Sequence, residues 1–347
     1  MRKFNYDLLK NQKWDSEILG LVANIHEAKG KENLYLKQNP AELDKLVEIA
    51  KVQSTESSNA IEGIRTTSTR LKQLVSQKTT PKNRDEEEIA GYRDVLNVVH
   101  ESFEYINITP NFILQLHQML YKHSTKKIGG KFKNVQNYIS ATDEKGNTFT
   151  LFTPLAPYVT PEAIEMICNE FNMAIAKSEV DALILIPVFI HDFLCIHPFI
   201  DGNGRMSRLL TTLLLYRCGY SIGKYISLES KIAKTKDLYY DALEVSQNGW
   251  HEEQDDCTQF IKYILGTILS AYRDFEERID FVSDKLPALD IVKKAVDTIL
   301  GKFSKMQIVE LCPTLSNSSI EQSLKKLCEN NNIEKLGKGK NTFYVKR

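Results

Sequence analysis

Apolar residues recur at three- and four-residue spacings through LDKLVEIAKVQ, EEEIAGYRDVLNVV, FILQLHQMLY, AIEMICNEFNMAI and RLLTTLLLYR. That period lines them along one face of a helix, so most of the chain up to about residue 280 is predicted to be helical. One stretch departs from it. NYISATDEKGNTFTLFTPLAP, residues 137–157, alternates, is rich in Thr and Phe, and offers Lys145-Gly146-Asn147 as a turn. A hairpin within a helical protein is predicted there. Long non-helical excursions in compact domains tend to be functional, which makes a flap over a site the favoured reading and a plain surface hairpin the alternative.

After Asp280 the composition shifts. ALDIVKKAVDTILG, KMQIVELC and IEQSLKKLCEN read as three helices, with PTLSNSS as a turn and NIEKLGKGKNTFYVKR as a two-stranded ribbon. The order resembles a winged helix. Lys325, Lys326, Lys335, Lys338, Lys340, Lys346 and Arg347 could meet phosphates of DNA, although Glu321, Glu329 and Glu334 dilute the patch. The alternative is a solvated surface used for protein contacts.

Composition narrows the class. The 347 residues are 42% hydrophobic and 26% charged, close to soluble globular averages, so one large domain plus a smaller one is expected. Lys+Arg and Asp+Glu both number 45, so no net charge draws the whole chain to nucleic acid or to an anionic membrane. The six cysteines are scattered without a C-x-x-C pair, which indicates neither a disulfide framework nor a zinc site. The first residues lack the apolar stretch of a secretory signal. The longest apolar run, ALILIPVFI, contains Pro187 and is too short to span a bilayer. A soluble cytoplasmic protein with no membrane partner is the expectation.

The chemistry concentrates in HPFIDGNGRMSR, His197 to Arg208. The apolar helix VDALILIPVFIHDFLCI ends at His197, and Pro198 forces a turn. Ile200 to Asn203 form a loop, and a second helix starts at Gly204. Gly202 and Gly204 permit unusual dihedrals and close approach, and the first N–H groups of the second helix point outward, which together make an anion site. Arg205 and Arg208, three residues apart, share a helix face and suggest more than one phosphate. Asp201 beside such a nest makes sense if Mg²⁺ lies between carboxylate and phosphate oxygens. His197 is then the natural proton acceptor. The other six histidines, His26, His100, His117, His123, His191 and His251, are read as core or surface residues.

This string resembles throughout the Fic-family signature HPFx[DE]GNGRxxR. Asn137 to Pro157 looks like that family's target-docking flap, and YISLESKIAKTKDLYYDAL like its region after the motif, so the resemblance covers roughly residues 50 to 265. Together with the helical period and the element order after Asp280, it points to a mainly α fold: an N-terminal helical region over residues 1–110, a catalytic core with its β-hairpin flap over 111–280, and a small winged-helix-like α+β domain over 281–347. It also implies transfer of AMP from ATP to a Ser, Thr or Tyr hydroxyl of a protein, the chain itself included, with release of pyrophosphate. His197 would be the general base, Asp201 the Mg²⁺ ligand, and Gly202, Asn203, Gly204 and Arg205 the phosphate cradle. Arg208 would meet the γ-phosphate, Tyr240 and Gln247 would lie near the adenine, and since relatives often dimerise a homodimer is one partner the resemblance allows, the oligomeric state itself not being readable from the sequence.

Upstream, Ser58-Asn59-Ala60-Ile61-Glu62-Gly63 resembles the family's inhibitory motif [ST]xxxE[GN]. The resemblance implies that Glu62 pairs with Arg208 where the γ-phosphate belongs, with Ser58 in the same element. In some relatives the same glutamate orients a water that removes AMP, so de-AMPylation is an alternative. A kinase-like relative lacks the loop's first glycine, and the presence of Gly202 favours AMP transfer. A DNA-binding regulator with a nucleotide-sensing Fic domain is the reading from another class. A metal phosphohydrolase built on His191-Asp192 finds no further ligands to complete it.

Overall fold

The computed structural model describes residues 2–38, 40–142, 146–282, 287–299, 301–312, 315–337, 339 and 342–346. Lys145 of the expected turn, and Lys338, Lys340 and Arg347 of the basic set, lie outside them. The fold is mainly helical. After a short 3-10 helix at Tyr6–Asn11 come α1 (Ser16–Gln38), α2 (Pro40–Ile61), α3 (Ser68–Val75), α4 (Arg84–Ser102) and α5 (Pro110–Leu120). A hairpin follows, β1 (Ile139–Thr142) and β2 (Thr148–Phe152), then α6 (Thr160–Lys177), α7 (Ala182–Ile196), α8 (Asn203–Arg217), α9 (Leu228–Lys234), α10 (Lys236–Gln247) and α11 (Thr258–Val282). The chain continues with α12 (Ala288–Thr298), α13 (Lys305–Leu311), α14 (Asn317–Glu329), β3 (Ile333–Leu336) and β4 (Phe343–Lys346). No described helix is long and apolar enough to cross a membrane.

Two compact units result. The first comprises residues 1–27 and 50–271, the second residues 28–49 and 272–347. The first is organised around α7 and α8, which pack on each other and against α4, α6 and α10. Every residue of α7 from Leu183 to Ile196 is buried, which is why its sequence is apolar all round and shows no solvent face. Burying a side chain such as Phe189 or Phe193 contributes about 1.5–3 kcal/mol. Polar caps fix where helices start: Asn83, Thr109, Asp181 and Ser227 accept backbone N–H bonds at the first turns of α4, α5, α7 and α9.

The hairpin pairs antiparallel, with Ala141 opposite Phe149 and Thr142 opposite Thr148. Thr148 to Leu151 are exposed, while Phe152 is buried and stacks on His251 with ring centroids 5.2 Å apart. The hairpin is therefore held at its C-terminal root.

In the second unit α12, α13 and α14 bury Val292, Val296, Ile308, Ile320 and Leu324 against Ile333 and Tyr344 of the antiparallel β3–β4 ribbon. Phe303 pairs with Tyr344 in a single antiparallel bridge beside the ribbon, and a Ser304–Gln307 capping box starts α13. Of the basic residues here, Lys325 pairs with Glu329 at 3.8 Å, and Lys346 donates to the carbonyl of Asp297.

His191 and Asp192, weighed in the sequence as a metal site, are buried structural groups. Asp192 accepts from Tyr6 Oη at 2.9 Å and from Trp250 Nε1 at 2.7 Å. Among the described residues no group of three or more His, Cys, Asp or Glu could hold a metal ion by itself.

Candidate active site

Helix α7 ends at His197, whose backbone is left-handed at φ 50°, ψ 62°, with its N–H bonded to the Phe193 carbonyl. The reversal turns the chain out of α7 and into the loop before α8. Phe199 is fully buried, and the side chain of Asn203 spans the loop: its Oδ1 accepts from Phe199 N–H at 2.9 Å and its Nδ2 donates to Phe199 O at 2.7 Å. The structure thus commits the Asn203 side chain to closing the loop, leaving only its backbone to face an anion. Gly202 caps α8 at φ 87°, and the first bond of the helix runs from Met206 N–H to Gly202 O. The N–H groups of Asn203, Gly204 and Arg205 precede that ladder and have no intrahelical acceptor.

Two arginines of α8 face different partners. Arg205 is 1% exposed, lies 2.8 Å from Glu88 on α4, and donates to Tyr121 Oη at 2.9 Å. Its Nε and Nη1 are buried with no hydrogen-bond partner among the described residues, so the guanidinium keeps donors to spare. Arg208, equally buried, donates from Nε to Ser58 Oγ at 2.8 Å, and from Nη2 to the Ser58 carbonyl at 3.0 Å and Glu62 Oε1 at 2.7 Å. Burial, the largest single influence, lowers the pKa of Arg208; Glu62 together with Tyr239 and Tyr92 outweighs it and raises the value.

Glu62 reaches this position because α2 ends at Ile61. Gly63 N–H bonds back to the Ala60 carbonyl at 3.0 Å, and Lys236 of α10 donates to the Ile61 carbonyl at 2.8 Å. Its Oε1 lies against Gly204, in the space a side chain there would need. A carboxylate at the first turn of α8, paired with an arginine of the same helix, is in the place an anionic ligand would take.

Asp201 accepts from Lys126 Nζ at 2.6 Å and lies 3.7 Å from Arg205. Burial pushes its carboxyl pKa up, but Lys126 and Arg205 together hold it below the ordinary value, so it is ionised at neutral pH. Beside it opens a cleft of about 780 Å³ walled by Tyr121, Lys122, Lys126, Lys127 and Lys131. For His197, burial dominates and the nearby Lys133 adds to it, drawing the pKa down to about 4. Its Nδ1 lies 3.4 Å from the Leu194 carbonyl, which makes Nδ1 the protonated nitrogen and leaves Nε2 as the acceptor.

Tyr240 is 41% exposed on α10 near Lys236, and Glu62 helps raise its phenol pKa, after burial as the larger cause. Gln247 is buried at the end of the same helix. Sequence reasoning missed Glu88, Lys126, Tyr121 and His117. His117 stacks on Phe199 at 3.7 Å, accepts from Gly130 N–H at Nδ1, and bonds the Asp201 carbonyl through Nε2 at 3.1 Å. Its spacing of four from Tyr121, the residue that caps α5, is the available signal, since both then face the loop.

These features gather His197, Asp201, Arg205 and the Glu62–Arg208 pair around the junction of one loop and the first turns of α8. Residues 107–215 match the Fic/DOC family, and the chain carries a Fic domain. It is similar to a Fido domain-containing protein of Dictyostelium discoideum, 28% identical over 127 residues, 35% of this chain and 84% of that protein. The protein adenylyltransferase Fic of Nematostella vectensis is 26% identical over 223 residues, 60% of this chain and 44% of that protein. The chain thus spans less than half of that adenylyltransferase. Among solved structures, a Fic family protein from Desulfovibrio desulfuricans G20 superposes with a TM-score of 0.63 at 19% identity over 97% of both chains, a likeness of fold.

Proposed function

We propose that the chain is a protein adenylyltransferase that moves AMP from ATP to a Ser, Thr or Tyr hydroxyl of a protein and is restrained by Glu62. The observation that carries this reading is the Glu62 carboxylate on Arg208, seven residues beyond Asp201 and eleven beyond His197, with its oxygen against Gly204 in the first turn of α8. In the reaction the hydroxyl oxygen bonds to the α-phosphorus and its proton passes to Nε2 of His197. The bond to the β-phosphate breaks and pyrophosphate leaves. The N–H groups opening α8 and the spare donors of Arg205 would bind phosphate oxygens, and Arg208 would do so once Glu62 withdraws.

Mg²⁺ fits the donor set. Asp201 is an ionised, partly exposed carboxylate, and Mg²⁺ is commonly held by one or two carboxylates together with substrate phosphates. Asp201 would hold the ion, which would neutralise charge on the phosphates.

The test is incubation of the Glu62→Gly protein with α-³²P and γ-³²P ATP, alone and with lysate, followed by mass spectrometry of labelled bands. An AMP adduct carrying only the α label is expected. Retention of the γ label would show phosphate transfer and overturn the reading.

A further inference from the structure

We propose that Lys133 and Asn137 form a positioning pair that locks the left-handed turn at His197 and keeps a cation beside its imidazole. The proposal rests on the adenylyl-transfer reading for the role of the imidazole, and on geometry for the rest.

An L-residue in the left-handed region costs about 1–2 kcal/mol, and a helix end leaves its last carbonyls without partners. At the end of α7 each of four successive carbonyls is met from the segment before β1. Ile196 O accepts from Lys133 Nζ at 3.0 Å, and Pro198 O accepts from Lys133 N–H at 2.8 Å. Asn137 Nδ2 donates to His197 O at 3.4 Å and to Phe199 O at 3.0 Å. The two are tied to each other, Lys133 Nζ donating to Asn137 Oδ1 at 2.9 Å. Their spacing of four residues serves a turn that lies about sixty residues away in the chain.

Lys133 is only 3% exposed. Burial draws its pKa down to about 8, so at neutral pH the ammonium is mostly charged. It sits where a helix macrodipole is negative, which favours a cation. Among the described residues the charges that act on the His197 imidazole are Lys133 and, just past the end of α2, Glu62; the first disfavours the imidazolium and the second favours it. A buried methionine of similar length would leave the Ile196 carbonyl and Asn137 Oδ1 unmet and remove the charge.

The experiment combines two readouts. Histidine-selective NMR follows the titration of His197 in nucleotide-free protein with native Glu62, for wild type, K133R and K133M. AMP-transfer kinetics are measured on the same substitutions placed on Glu62→Gly. K133M is expected to raise the His197 pKa and to lower kcat by about 10- to 100-fold through misplacement of the base, with KM for ATP within about twofold. K133R is expected to restore most of both. A His197 titration in K133M that superimposes on wild type overturns the proposal, as does equal loss in K133R and K133M. Should K133M not fold, Asn137→Ser tests the clamp alone: kcat falls and the His197 titration stays put, whereas an unchanged kcat sinks the idea. The titration needs neither nucleotide nor target, so it speaks to the clamp even where AMP transfer is absent. Conversely, undiminished transfer by His197→Ala would remove the catalytic reading and leave the titration result standing.

Discussion

Glu62 and Arg208, 146 residues apart in sequence, meet at 2.7 Å inside the first turns of α8, and Gly204 provides the room for the carboxylate. Arg208 is 3% exposed and the Glu62 side chain 33%, so one partner is fixed and the other can leave. Withdrawal of Glu62 uncovers both the guanidinium and the helix N-terminus.

Glu62→Gly is therefore expected to activate the protein. A hydrogen bond to a charged group contributes about 1.5–3 kcal/mol. At about 1.4 kcal/mol per decade this corresponds to roughly a 10- to 100-fold rise in AMP incorporation. Scintillation counting after α-³²P ATP incubation checks it; equal labelling of both proteins would refute the restraint.

His197→Ala in the activated protein should lower kcat by about 10²- to 10⁴-fold, the usual effect of losing a general base. The base must be neutral, and its pKa is drawn to about 4, chiefly by burial and then by Lys133. Loss of Glu62 removes a charge that favours the imidazolium and lowers the value further. kcat/KM should thus stay level from about pH 8 to pH 6 and show no inflection near the ordinary histidine value of about 6.5. An inflection there, abolished by His197→Ala, would contradict this environment.

Acid should destabilise the fold before carboxylates titrate. Burial draws His100 to about 3 and His117, His191 and His197 each to about 4. With folded values below the unfolded one, these groups give stability that is present above about pH 6.5 and lost as pH falls toward 4. Asp192, raised to about 6 mainly by burial, acts in the opposite sense, but it is one group against four. His100, neither of whose ring nitrogens has a hydrogen-bond partner among the described residues, isolates the effect. His100→Phe is expected to reduce the loss of stability between pH 6.5 and pH 4.5, by up to about 1.4 kcal/mol per pH unit, seen as a smaller fall in melting temperature. An unaltered pH slope in differential scanning calorimetry would count against it.

Glu88→Ala should destabilise the protein by about 3–5 kcal/mol, because it strands the buried guanidinium of Arg205. Glu88→Gln, which keeps an acceptor, should cost less. Chemical denaturation measures both, and a Glu88→Ala protein as stable as wild type would show that Arg205 is solvated in place.

Much of this was legible in the sequence. The helical period anticipated α4, α5, α6 and α8, and the alternation in residues 137–157 anticipated the hairpin. The loop chemistry could be read because His197, Asp201, Gly202, Gly204, Arg205 and Arg208 lie within twelve residues, where local geometry follows from spacing. The resemblance places Asn203 in a phosphate cradle; its side chain closes the loop and its backbone N–H remains for an anion. From spacing alone a polar residue in a loop can face a ligand or the backbone, and only the position of Phe199 decides which.

The sequence by itself determined the reactive inventory and the elements that carry it, since periodicity, glycine placement and capping act over a few residues. The tertiary structure alone decided the pairings: Glu88 under Arg205, His117 behind Phe199, Lys133 and Asn137 on the end of α7, and Ser58 with Glu62 on Arg208. Each pairing joins segments far apart in the chain. Such contacts arise only when helices pack, because a side chain's partner is set by the face its neighbour presents rather than by its own sequence.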